Sequence, residues 1–222
     1  DNGAPGGPVT IDLRSRYVPA VVKACEKQLS AKKGGERTKS SALSLLSNLC
    51  VAPGGIGGED RIASVFKHVE AVLAGGRDAY SSGSTSGLAR GVSANTKSLK
   101  LDALRLVRMI LACGNHAPSD LKDALMGSLL KELCLAVRED WYKVIAEALR
   151  VLAEVPRLLV KAGGTADERD AAAGMLYESV EPRLAAHDLD QEIKECALTA
   201  SASILSVLHL SLSSERRGGG GG

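Results

Sequence analysis

Four histidines and five cysteines are the side chains of this sequence best suited to hold a metal ion or attack a substrate, and their spacing argues against both roles. His68, His116, His187 and His209 form no His-x-x-x-His pair, and none stands in a run of Cys, Asp or Glu with ligand spacing. Cys25, Cys50, Cys113, Cys134 and Cys196 are far apart, odd in number and without a Cys-x-x-Cys pair. Most fall in apolar helical stretches, so buried, reduced thiols of an intracellular protein are expected. The Pro-Gly-Gly-Ile-Gly-Gly run at 53–58 has the glycines of a phosphate cradle. It lacks both a preceding strand and the Gly-Lys-Ser/Thr that grips nucleotide and metal, so it reads as a flexible loop. Serines within 81–86 offer hydroxyls for phosphorylation, but without partner residues that stretch reads as an inserted linker. No nucleophile–base pair emerges. No catalytic, metal or cofactor residue is therefore assigned, and an enzyme is the least supported class.

Binding by a surface is the remaining chemistry. A net charge of +2 over 222 residues is too small to indicate a nucleic-acid or membrane partner. No apolar run approaches the ~18 residues of a membrane span, so a soluble chain is expected, with no small-molecule substrate. Aromatics make up 3% of the sequence, which makes the adjacent Trp141 and Tyr142 stand out. Their place at a helix start suits core packing, and their chemistry suits anchoring a partner. Arg105 and Arg108 on one expected helix and Arg150 and Arg157 on another could form a partner-facing row, because second helices of stacked hairpins commonly line the binding side. The alternative for Lys143, Glu147, Arg150 and Glu154 is a solvated face with i,i+3 and i,i+4 ion pairs.

The elements that must position these residues are helices. Apolar residues recur at offsets of three and four, and the period-two pattern of strands is missing. Expected helices cover about 13–29 (kinked at Pro19 or starting there), 38–50, 61–74, 96–113, 119–137, 141–161, 167–186 (interrupted at Pro182) and 191–210. Ala42, Leu45, Leu46 and Leu49 share a face of the second. Ile62, Val65, Phe66, Val69 and Leu73 form the stripe of the third. Leu101, Leu104, Val107 and Leu111 are expected inside the fourth, which stops at Gly114 to Pro118. Ile145, Leu149, Leu152, Val155 and Leu159 form the inner stripe of 141–161, and Ile193, Ala197, Ala200, Ile204 and Leu208 that of 191–210.

Near the start of each second helix a lysine precedes an alanine by three residues: Lys39/Ala42, Lys100/Ala103, Lys143/Ala146 and Lys194/Ala197. The gap from Lys100 to Lys143 falls inside the ~40–47 residue period of HEAT and armadillo units. The longer gaps take Gly- and Ser-rich insertions. Small alanines let paired helices approach closely, while lysine stems can cover apolar surface with their charge in water. Glu36, Asn95, Asp140 and Asp190 lie where each can cap the helix that follows. The expected architecture is all-α: a right-handed superhelical solenoid of antiparallel helix pairs. It comprises about four repeats at 11–52, 59–116, 119–161 and 167–212, with insertions near 53–58, 75–95 and 162–166. A linker at 1–10 and a low-complexity tail at 213–222 flank them. A first residue Asp1 and a last run of glycines suggest an interior piece of a longer protein.

Leu99–Leu104, Asn115-His-Ala-Pro118, Trp141–Leu149 and Asp188–Ala197 resemble, in order and spacing, consecutive middle repeats of the cullin-associated and neddylation-dissociated protein family. The resemblance is strong over about 98–152 and 176–205 and departs in the Gly/Ser insertions and at Trp141, where a smaller aromatic is usual. It implies an all-HEAT superhelix around the cullin-RING ubiquitin-ligase scaffold, binding unneddylated cullin with its RING protein. Such proteins exchange substrate receptors without catalytic residues and act in the cytoplasm, the nucleus or both. The resemblance transfers no particular cullin-contact residue. A different class, a HEAT-repeat nuclear transport receptor, shares the architecture, and binding to the small transport GTPase is what would separate it.

Overall fold

The computed structural model describes residues 13–31, 35–75, 93–186 and 190–218. Within them every regular element is helical. In chain order these are α1 (Leu13–Ser30), α2 (Glu36–Val51), α3 (Glu59–Ala74), α4 (Ala94–Ala112), α5 (Pro118–Leu125), α6 (Ser128–Ala136), α7 (Tyr142–Lys161), α8 (Ala166–Ala185) and α9 (Gln191–Gly218). The expected linker at 1–10, most of the Gly/Ser tract at 75–95, and the turn carrying His187 lie outside the described residues.

The helices stack in two layers. α2, α4, α7 and α9 lie side by side in one row, and α1, α3, the α5–α6 pair and α8 form the other, each packing on its partner across the layers. This is the expected solenoid of antiparallel helix pairs. Its core is continuous from Val22 to Ile204 and is built of Leu, Val, Ile and Ala with one phenylalanine, Phe66. With so few aromatics, contact depends on close helix approach, and the four marker alanines Ala42, Ala103, Ala146 and Ala197 are all buried. The expected stripes of α3 and α7 are buried in full. On α2 the stripe is less complete: Ala42 and Leu46 are inside, while Leu45 is 43% exposed.

Several elements differ from expectation for identifiable reasons. The segment expected as one helix over 119–137 is two, α5 and α6, separated at Met126 and Gly127. Gly127 has ψ −140, outside the helical basin, a conformation that glycine adopts at least cost. α5 also starts one residue earlier than the expected 119, with Pro118 in its first turn, where the missing N–H is no loss. Pro182 does not interrupt α8, and Pro156 lies inside α7. α9 continues to Gly218 instead of ending near Leu210. The expected low-complexity tail at 213–222 begins with Ser, Glu and Arg, all compatible with helix, and glycine starts only at 218.

Of the four expected caps, Asp190 behaves as one: the Glu192 N–H donates to its Oδ1 at 2.8 Å. Glu36 instead reaches across to α4, accepting from the Thr96 hydroxyl at 2.6 Å. α4 is capped by Ser93, which accepts from the Thr96 N–H at 3.1 Å, not by Asn95. α7 follows Trp141 without a side-chain cap. α8 opens with a reciprocal box: the Glu168 N–H donates to Thr165 Oγ1 at 3.2 Å and the Thr165 N–H to Glu168 Oε2 at 2.9 Å. These bonds, with Lys122 nearby, hold the Glu168 carboxyl below its usual range.

The 53–58 turn, expected as a solvated insertion, is tied to the core. Ile56 is fully buried, and Gly54, Gly55 and Gly57 all have positive φ. Asn115 fixes the turn from the next repeat, donating to the carbonyls of Cys50 at 2.8 Å and Ala52 at 3.2 Å. His116 is buried against it, and burial holds its imidazole below the ordinary value. A base with a lowered folded pKa binds protons more tightly when unfolded. Its stabilising share is therefore complete above the unfolded value of ~6.5 and is lost as pH falls through it. Urea midpoints at pH 7.5 and 5.5 should fall further for the native chain than for His116→Gln, and equal falls would remove His116 as the cause.

Candidate protein-binding face

The row α2–α4–α7–α9 carries the arginines expected to face a partner. The α4 stripe Leu104, Val107 and Ile110 points inward, which turns Arg105 outward to 54% exposure, with its guanidinium 3.6 Å from Asp102 one turn earlier. Arg108 leans toward α7, where its Nε donates to Glu147 Oε1 at 2.5 Å. Arg150, on α7, donates to the other Glu147 oxygen at 3.1 Å and to Glu192 of α9 at 2.5 Å. These bonds raise the Arg150 pKa above its ordinary value, with the bond to Glu192 the largest cause. Arg157 lies further along α7, exposed and 3.5 Å from Glu154.

Glu147 changes the reading of this face. Its place in the charged sequence pattern suggests solvent, yet it is 3% exposed, flanked by the buried Ala146 and Ala148. A carboxylate so placed needs compensating charge and hydrogen bonds. Arg108 from the preceding repeat and Arg150 from its own helix supply both. Arg108, Glu147, Arg150 and Glu192 thus form a polar ladder crossing three neighbouring helices. Ser40 continues the cross-linking by donating to Asp102 between α2 and α4, as does Ser203, which donates to the Ala153 carbonyl at 2.7 Å between α9 and α7.

The four lysines of the Lys-x-x-Ala pattern do not share one environment. Lys100 is 1% exposed and bonds Glu139 in the α6–α7 turn at 2.5 Å, so its charge is buried in a pair and not held in water. Lys143 is exposed and sits 5.8 Å from the Trp141 ring centre and 5.7 Å from that of Tyr142. Lys39 and Lys194 are half-buried. The turn that Lys100 grips is held from the following repeat too: Arg183 of α8 donates to the carbonyls of Val137 at 2.9 Å and Glu139 at 3.3 Å.

Trp141 and Tyr142 divide the two roles open to them. Trp141 packs partly buried against the core, and Tyr142 is exposed. Tyr142 lines an open groove of about 460 Å³ with Arg138, Asp140, Arg183 and Asp190. A second groove, of about 310 Å³, lies between α2 and α4 and takes in Arg105 and Arg108. The structure therefore joins Arg108 to Arg150 through Glu147 and places Arg105 beside Arg108. The aromatics stand at the opening turn of α7 and Arg157 near its end.

The thiols are free. Cys25, Cys50, Cys134 and Cys196 are buried, and Cys113 is half-buried. Burial pushes the Cys50 thiol up to about 12, with neighbouring Cys113 adding to the shift. Burial likewise raises Cys25, Cys134 and Cys196. Such thiols carry little thiolate at neutral pH and act as core side chains. Among the described residues no group of three or more His, Cys, Asp or Glu is placed to hold a metal ion.

Known proteins resemble this arrangement in sequence and in fold. A family model described as CAND1-like, TPR repeats matches residues 62–201, from α3 into α9. Cullin-associated NEDD8-dissociated protein 1 of Arabidopsis thaliana is 30% identical over an alignment covering 87% of this chain and 14% of that protein. Cullin-associated NEDD8-dissociated protein 2 of Mus musculus is 29% identical, with 85% and 14% covered. The Dictyostelium discoideum protein of the first name is 24% identical, with 94% and 15% covered. The chain thus spans about a seventh of the length of these relatives. A crystal structure of an engineered protein matches with a TM-score of 0.52 at 20% identity, covering 83% of this chain and 62% of that one, a likeness of fold alone. Because the matched span takes in most of the helical stack, the chain belongs to the CAND1-like repeat family.

Proposed function

We propose that this chain is a noncatalytic segment of a cullin-binding scaffold that regulates assembly of cullin-RING ubiquitin ligases. In this reading the whole protein, in the cytoplasm or nucleus, binds unneddylated cullin with its RING protein and exchanges substrate receptors. The observation that carries it is the family match over 62–201, which takes in α4 and α7 and reaches into α9, three second helices packed side by side. A solenoid of this kind offers a long surface with no need of a reacting group. Exchange follows from mutual weakening: if scaffold and receptor each lower the other's affinity for cullin, either hastens the other's release, and the coupling is reciprocal.

The test immobilises a purified cullin-RING complex, unmodified or NEDD8-modified, and passes over it the intact protein that carries this chain. Selective capture by the unmodified complex is expected. Equal capture by both forms, or by neither, sinks the reading, and binding to the small transport GTPase in its place assigns the protein to nuclear transport.

A further inference from the structure

The groove between α2 and α4 has a lining that favours one kind of occupant. From α2 come Ser44, Ser47, Asn48 and, at the last turn, Val51, which is 55% exposed. From α4 come Arg105, Arg108 and Met109, together with Asp102. The charges are paired but unequally exposed: the Arg105 and Arg108 side chains are 54% and 39% exposed, those of their partners Asp102 and Glu147 only 21% and 4%. Asp102 is the one carboxylate in the lining, and it already accepts a hydrogen bond from Ser40. Two guanidiniums therefore reach the solvent of the groove, while of their two acids Asp102 is engaged by Ser40 and Glu147 is buried. Arg108 gives its Nε to Glu147, which leaves the donors on its two terminal nitrogens. Arg105 is held to Asp102 at 3.6 Å, a loose pair on a mostly exposed side chain.

We propose that this groove docks an extended acidic segment of a partner protein, with its carboxylates on Arg105 and Arg108 and an intervening apolar side chain against Val51 and Met109. Guanidinium forks match carboxylates in geometry as well as charge. The exposed Ser44 and Asn48 offer donors and acceptors to the segment's backbone. A bare anion would use the arginines and leave Val51 and Met109 wet. A nucleic acid needs a long run of cations along its phosphates, and the chain's net charge is only +2. The proposal needs the groove alone and stands apart from the cullin reading.

Amide chemical shifts of the 222-residue chain, titrated with a short peptide of alternating Asp and Val, provide the test. The peptide is expected to move amides in 44–51 and 102–109. The matching Asn/Val peptide should bind about tenfold more weakly, as should the Asp/Val peptide to Arg105→Glu, an exposed substitution whose folding is checked by circular dichroism. Val51→Ser should weaken binding severalfold. Absence of binding, shifts centred elsewhere, or unchanged affinity in Arg105→Glu overturns the proposal. So does inorganic phosphate moving the same amides at equal concentration, which marks a simple anion site, or dimerisation in sedimentation, which marks a surface for a second copy. A failed cullin capture leaves these outcomes untouched, and the converse holds.

Discussion

Replacing Arg108 and Arg150 together by alanine should lower the unfolding free energy by about 3 kcal/mol, the order expected when a buried charge loses its partners. The two arginines hold opposite oxygens of Glu147, at 2.5 and 3.1 Å, and that carboxylate has almost no access to water. Either single replacement should cost only about 1 kcal/mol, because one guanidinium remains, so the two effects should add to less than the double. Adding Glu147→Leu to the double variant should recover most of the loss, since apolar packing replaces buried ion pairs at little or no cost. Urea is the suitable denaturant, because guanidinium chloride would screen the contacts under test. A double variant with the native midpoint would falsify the dependence of Glu147 on this ladder.

Gly55→Ala should cost about 3 kcal/mol, from two sources that can be separated. At φ 54 any Cβ is strained, and here it would lie 2.3 Å from Cε1 of the buried His116 ring. Gly54→Ala, at φ 82 with open space around it, should show the backbone cost alone, about 1 kcal/mol. Combining Gly55→Ala with His116→Ala should bring its further cost close to that of Gly54→Ala, because the colliding ring is gone. Thermal or urea midpoints of the native chain, Gly54→Ala, Gly55→Ala, His116→Ala and the double variant settle the division. If Gly54→Ala and Gly55→Ala cost the same, the ring contributes nothing.

Why the sequence revealed some of this and concealed the rest follows from the distance over which each feature is encoded. Helix identity and inner faces are local: Ile62, Val65, Phe66, Val69 and Leu73 advertise their stripe by spacing, and all are buried. The Lys-x-x-Ala recurrence was legible in its alanines, which are uniformly buried, and misleading in its lysines. Lys100 is the seventh residue of α4 and Lys143 the second of α7, so equal spacing to alanine places them against different neighbours. The break at Gly127 turns on one glycine that a continuous apolar pattern hides. Glu147 was the least legible. Its helix pattern offers Lys143 four residues earlier as a partner, but Lys143 sits over the two aromatic rings and the cross-helix donor is Arg108. Nothing within one helix specifies a partner in the previous repeat. Of the candidate binding residues, exposure of Arg105 and Arg157 followed from helix period. The sharing of Glu147 by Arg108 and Arg150 required the stack itself.

The scarcity of aromatic residues also makes one of them an optical label. Trp141 is the sole tryptophan, held at the entrance of α7 with Lys143 near its ring. Fluorescence excited beyond the absorption of the four tyrosines therefore reports the surroundings of one turn in the third repeat, whereas far-ultraviolet dichroism averages all the helices. A stack whose units touch only their neighbours need not melt as one body. The two signals, recorded on the same sample without any added dye, distinguish a transition that crosses the whole row from one in which the third repeat opens at its own temperature.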